Sequence, residues 1–226
     1  MEDLYFLDKF RAEPNMTLLL NTWFTGVDKA PASEVLGESC GLQDGEGGAL
    51  VCTAYATNQI TQETFVITCK CIIDTTGDGR VMAEAQADWT QGREASSTYG
   101  ESMAPPEADT LTEGTSLAFH AVNMGRPMPF KLPPTFTRRF QKSDFDHRYL
   151  SRLDYGYWWV ELSFPWDTVS DGETIRKHLS EALLGVWDYM KNSGEFADKG
   201  IDNYALNWFG WYPCKREARR LVGMHV

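Results

Sequence analysis

The sequence predicts a mixed α and β fold, α+β or α/β in class, on three observations. Residues Ser170 to Gly194 repeat apolar side chains at helical spacing. Two runs, "ALVCTAYAT" and "TFVITCKCIID", alternate as strands do, with a polar turn between them at Asn58 to Gln62. The second run then meets "TTGDG", in which Gly77 and Gly79 flank Asp78.

Taken in order, Leu4, Leu7 and Phe10 are spaced for a short helix that must end before Pro14, because proline disfavours helix at the residue preceding it. "NMTLLLNTWFTGV" is rich in strand formers, and Ala30 to Gly48 is Gly-rich and acidic, which predicts a loop. In the hairpin that follows, Phe65, Ile67, Cys69, Cys71 and Ile73 share one face of a strand expected to run up to the TTGDG turn. Between Ala104 and Pro134, Pro105, Pro106, Pro127, Pro129, Pro133 and Pro134 each remove a backbone donor, so this part is expected to connect, around one apolar piece, "GTSLAFHAV". "YGYWWVELSF" reads as a strand ending at Pro165.

The long helix is expected to open with a capping box at Ser170 and Glu173. Its apolar stripe comprises Ile175, Leu179, Ala182, Leu183, Val186, Trp187 and Met190, and Gly194 is its stop. The chain closes on a basic cluster, "CKREARRLVGMHV".

Composition excludes several roles. Across 226 residues, 21 Lys and Arg stand against 32 Asp and Glu, for a net charge of −11. Nucleic acid is therefore not an expected partner, since a phosphate backbone favours a positive surface. No apolar run has the length of a membrane span and the N-terminus has no basic flank, so a soluble chain is expected. Cys40, Cys52, Cys69, Cys71 and Cys214 lack the C-x-x-C pairs typical of zinc, and His120, His147, His178 and His225 lack partners at i+4. Small buried thiols and no metal are the expectation.

The TTGDG turn admits two readings. Glycines at a strand end let a ligand approach the backbone, and a carboxylate there can accept hydrogen bonds from hydroxyls of a ribose-like group. Alternatively, Asp78 caps a helix starting near Arg80.

"EPNMTLLLNTWFTGV", "IIDTTGDGRVMAEAQADWTQGREA", "GTSLAFHAVNMGRPMPF" and "KREARRLVG" together resemble, in the same order, segments of bacterial FAD-dependent oxidoreductases of the glutathione-reductase-like superfamily. The resemblance implies FAD as cofactor and flavin-mediated hydride or electron transfer on a small-molecule substrate. It implies that the backbone of Phe24 passes the adenine and that Thr76, Gly77, Asp78 and Gly79 lie by the FAD. It places Arg216, Arg219 and Arg220 towards flavin and substrate as catalytic candidates, with surface ion pairs as their alternative role. Ala218 departs from the family's RESRR pattern by lacking a hydroxyl, and Cys214 stands where a glycine is expected.

The same resemblance implies a partial FAD-binding domain with a β-hairpin over residues 1–100, a mixed substrate or cap domain over 101–212, and a return segment over 213–226. The N-terminal Rossmann strand with its G-x-G-x-x-G turn is absent; "GLQDGEGG" does not fit it. An internal fragment, inactive by itself and binding FAD weakly or not at all, is therefore expected. The runner-up is a non-catalytic carbohydrate-binding or interaction module using Trp158, Trp159, Trp208 and Trp211, although most of the eight tryptophans are expected in the core.

Overall fold

A computed structural model describes residues 2–31 and 49–223, so the expected acidic loop from 32 onward, with its glycine set and Cys40, lies outside the described residues, while Ala30 and Pro31 end a strand and not a loop. The architecture is mixed α and β with small antiparallel sheets, compatible with a partial FAD-binding domain. Two compact units divide the chain: Met1–Trp89 with Leu221–Val226, and Thr90–Arg220.

Unit 1 begins with helix α1 (Glu2–Ala12), followed by strand β1 (Thr22–Pro31). The expected hairpin is present as β2 (Ala49–Asn58) and β3 (Thr64–Thr68), and β2 is the centre of an antiparallel β1–β2–β3 sheet. Thr57 faces Thr64 at the turn, where Asn58 Oδ1 accepts the N–H groups of Ile60 and Thr61 at 2.9 and 3.0 Å. That side chain closes the turn. β3 ends at Thr68, six positions short of Asp74, so the strand does not run into the glycine turn as expected. The intervening residues do not join the ladder, and Ile73 is 83% exposed.

A short helix, α2 (Arg80–Glu84), buries Val81. It is tied to β1 by Lys29, whose Nζ donates to the carbonyl of Ala85 at 3.0 Å and to Gln86 Oε1.

Strand β4 (Trp89–Gln91) leads into unit 2, where α3 (Ser96–Tyr99), β5 (Thr115–Ser116), β6 (Phe119–Asn123) and β7 (Glu161–Leu162) follow. β5 pairs antiparallel with β7. The core of this unit is helix α4 (Gly172–Asn192). All seven residues of its expected stripe are buried, with Ile175, Leu179, Leu183 and Met190 at 0% exposure. Against it pack Leu117, Phe119 and Ala121, and the Phe119 and Trp187 rings meet edge to face at 5.1 Å. Strand β8 (Tyr204–Phe209) pairs antiparallel with β6, with a bulge between His120 and Ala121, and β9 (Arg219–Leu221) carries the chain back to unit 1.

Four expectations are corrected. The long helix starts at Gly172 with Asp171 as N-cap, because Asp167 Oδ1 takes the N–H groups of Val169 and Ser170 and holds that stretch outside the helix. Glu173 pairs instead with Arg176, at 2.8 Å. In "YGYWWVELSF" the strand is confined to Glu161–Leu162, since Val160 N–H bonds back to the carbonyl of Tyr157 in a turn.

The tryptophans are mostly outside: Trp23, Trp89, Trp158, Trp208 and Trp211 are exposed, whereas Trp187 is 1% exposed. Nor are the thiols buried, since Cys71 and Cys214 are exposed and Cys52 and Cys69 half-buried. All four are free cysteines.

One buried charge organises the end of α4. Lys191 is 8% exposed, and its ammonium donates to the carbonyls of Ile201, Asp202 and Tyr204 at 2.9, 3.0 and 2.8 Å. Burial pulls its pKa down, while Asp202 opposes that shift. The lysine thus pins the helix end to the segment that becomes β8.

Candidate functional site

In unit 1 the TTGDG stretch forms a turn between Asp74 and α2. Gly77 (φ +89°) and Gly79 (φ +58°) both lie in the region that favours glycine. Thr76 and Gly77 are exposed, and a Cβ added at Gly77 would meet no atom within 4 Å. At Gly79 it would sit 3.0 Å from Leu221 Cγ, so the turn's second glycine is packed and its first is open. Asp78, between the two glycines, is 4% exposed.

The helix-cap reading of Asp78 is corrected by Asp74 and Thr76. Thr76 Oγ1 accepts the N–H of Arg80 at 2.7 Å, and Asp74 Oδ2 accepts that of Met82 at 3.0 Å. Asp74 Oδ1 also takes the Thr76 N–H and hydroxyl at 3.0 and 2.7 Å. Two side chains before the apex thus serve the free N–H groups of α2. Partial burial pushes the Asp74 pKa up, but the hydrogen bonds from Thr76, Met82 and Val81 outweigh it and hold the carboxyl below its ordinary value. Sequence reasoning missed Asp74; an Asp two positions before a Thr, with the helix start four beyond that Thr, is the signal that marks it.

Phe24, half-buried on β1, is brought to this turn: the Arg80 guanidinium lies 6.0 Å from the centre of its ring. Within unit 1, β1 and the start of α2 therefore meet at one place, next to the turn whose residues are expected by the FAD.

In unit 2 the basic segment borders a cavity of about 530 Å³, lined among others by Arg93, Glu113, Glu217, Ala218 and Arg220. Arg216 Nε bonds Glu113 at 2.8 Å, and Arg220 Nη2 bonds Glu94 at 2.5 Å. Arg219 is half-buried and, like Arg216, is not among the lining residues. Ala218 is 2% exposed.

Cys214 exchanges backbone hydrogen bonds with Ser116, at 2.9 Å for its N–H and 3.1 Å for its carbonyl, and has no positive φ. A cysteine therefore fits this turn without strain.

The cavity also rests on Arg93 and Asp109, which the sequence did not single out. Their backbones exchange hydrogen bonds at 3.1 and 3.0 Å, and Arg93 grips the Asp109 carboxylate through Nε (3.2 and 3.1 Å) and Nη2 (2.5 Å). The grip lowers the Asp109 pKa and raises that of Arg93. Gly92 (φ +85°) makes the approach possible, because a Cβ there would lie 2.0 Å from the Asp109 carbonyl oxygen. Among the described residues no group of three or more His, Cys, Asp or Glu is placed to hold a metal, and no helix is long and apolar enough to cross a membrane.

The family model for FAD dependent oxidoreductases matches residues 4–226. With almost the whole chain matched, the protein belongs to the FAD-dependent oxidoreductase family, whose membership implies FAD as cofactor and a flavin-linked redox function. No curated protein and no solved structure matches the chain.

Proposed function

We propose that the chain serves hydride or electron transfer between FAD and a small-molecule substrate, in a flavoprotein of the glutathione-reductase-like superfamily. On this reading the expected partial FAD-binding domain (1–100, with the 213–226 return) supplies the cofactor contacts, through the Phe24 backbone and through Thr76, Gly77, Asp78 and Gly79. The expected substrate domain (101–212) contributes to the cavity that the Arg216–Arg220 segment borders. One observation carries the cofactor contact: α2 is capped by Asp74 and Thr76, while the exposed backbone at Gly77 has open space where a side chain would be. Exposed backbone with open space beside it, next in the chain to a buried carboxylate, suits the close approach of a dinucleotide.

FAD supplies the redox chemistry when bound. The chain's residues bind and orient. Thr76 and Gly77 present the open edge, Asp78 supplies the neighbouring carboxylate, and Gly79 lets the Leu221 side chain pack close. Arg216 and Arg220, held by Glu113 and Glu94, act as fixed hydrogen-bond donors on the substrate side.

The test is the melting temperature of the purified chain against FAD concentration up to the millimolar range. A saturable rise is expected, since a ligand that binds the native state stabilises it. Asp78→Ala should weaken FAD binding by about ten- to a hundred-fold. No rise at any FAD concentration overturns the reading for this chain. A destabilised Asp78→Ala protein with unchanged affinity removes Asp78 from the contact.

The exposure of Trp158, Trp208 and Trp211 favours a second reading, a surface that stacks sugar rings without catalysis. Tryptophan fluorescence that responds to oligosaccharides, in a chain indifferent to FAD, would select it.

A further inference from the structure

The charges around the unit 2 cavity are arranged in balanced pairs. Arg93 is held by Asp109 and Arg220 by Glu94, while Glu113 holds Arg216. Glu217 also lines the cavity and makes no ion pair among the described residues. Both arginines on the wall are thus already neutralised, and the one unbalanced charge is negative.

An anionic ligand would have to displace a carboxylate or approach Glu217. An ammonium would meet the same carboxylate favourably, so the charge balance selects against acids and not against amines. A hydroxyl suits both kinds of wall, because it donates to carboxylates and accepts from guanidinium N–H groups. Thr112 and Ser163 add hydroxyls, and Leu111 adds an apolar face, to a space of about 530 Å³, within the usual range of small-molecule sites.

We propose that this cavity takes a polyhydroxylated molecule, a sugar or polyol, and discriminates against carboxylates of similar shape. The proposal names the substrate class for the function proposed above and rests on that reading for the step from ligand to substrate; the binding itself does not involve FAD.

The experiment titrates the 226-residue chain at pH 7, without FAD, by ligand-observed NMR. Glucose, galactose and sorbitol are the neutral probes, and glucuronate and galacturonate the anionic ones. Saturable binding of at least one neutral probe is expected, with the uronates at least about ten-fold weaker, one ten-fold step being about 1.4 kcal/mol. Glu217→Gln, an exposed change whose melting temperature is checked, should narrow the gap for the acids to under about three-fold, as expected for removal of one repulsive charge.

Tighter binding of an acid, no binding of any neutral probe, or an acid gap that Glu217→Gln leaves unchanged each overturns the proposal. Sugar binding in a chain that FAD does not stabilise sinks the flavin reading and leaves this one. FAD stabilisation without sugar binding does the reverse.

Discussion

Asp74 and Met82, eight positions apart, are joined by a hydrogen bond of 3.0 Å from the Met82 N–H to Asp74 Oδ2. This bond fixes the start of α2 from outside the helix, and with the Thr76 contacts it makes Asp74 the anchor of the turn. Asp74→Ala should lower stability by about 1 to 2 kcal/mol, the range for loss of a helix cap. Urea denaturation reads it directly.

The same carboxylate gives a pH dependence of known sign. Its folded pKa lies below the ordinary 3.8, so its contribution is complete above the unfolded value and is lost as pH falls through the lowered folded one. Stability measured from pH 5 downward should therefore fall less steeply below about pH 4 in Asp74→Asn than in the parent chain. Identical acid limbs would show that Asp74 contributes no charge-dependent stability.

Leu183 is fully buried in the stripe of α4, and Leu183→Ala should cost about 2 to 5 kcal/mol. Tyr149, 79% exposed, is the control; its replacement by Ala should change stability by no more than about 0.5 kcal/mol. Equal denaturation midpoints for the two variants would contradict the packing described.

Lys191→Met keeps the apolar stem and removes the ammonium that serves three carbonyls. A loss on the order of 3 kcal/mol is expected, because hydrogen bonds to a charge disappear and buried acceptors are left unmet. Amide exchange should speed up in β8 before it does so in the middle of α4. A neutral or stabilising effect would show that burying the charge costs as much as its bonds return.

Gly92→Ala places a methyl group against the Asp109 carbonyl, at a φ that already disfavours a side chain. A loss on the order of 3 kcal/mol is expected from clash and backbone strain together. Gly100 (φ +71°) has no atom within 4 Å of its added Cβ, so Gly100→Ala should cost only about 1 kcal/mol. Thermal melts of the pair separate crowding from conformation.

Residues whose partners are near in sequence, or which repeat with a helical or strand period, were legible before the structure. The α4 stripe is one such case, since seven apolar residues at helical spacing need only a core to face. The β2–β3 hairpin is another, because Asn58 closes its own turn.

What was not legible depended on distant or irregular partners. Strand propensity in "YGYWWVELSF" lost to a local turn at Tyr157–Val160, and the start of α4 was set by Asp167, which binds amides that a capping-box pattern assigns to the helix. For the site, the basic segment and the glycine turn could be seen as motifs. The acids that balance Arg216 and Arg220 lie about a hundred or more positions upstream, at Glu113 and Glu94, and no periodicity points to them.

The hydroxyl of Thr76 reaches Asp74 Oδ1 while its oxygen also receives the Arg80 N–H, so the two side chains form one hydrogen-bonded relay and not two separate caps. Such a relay ties the fates of the two positions together in mutation. Once either partner is lost, replacing the other costs less than it does in the parent chain, though each still gives up the α2 amide it serves alone, so drift at 74 eases drift at 76 while Gly77 changes under its own constraint. A double-mutant cycle of Asp74→Ala and Thr76→Ala would expose this epistasis as strong non-additivity between neighbours in one network.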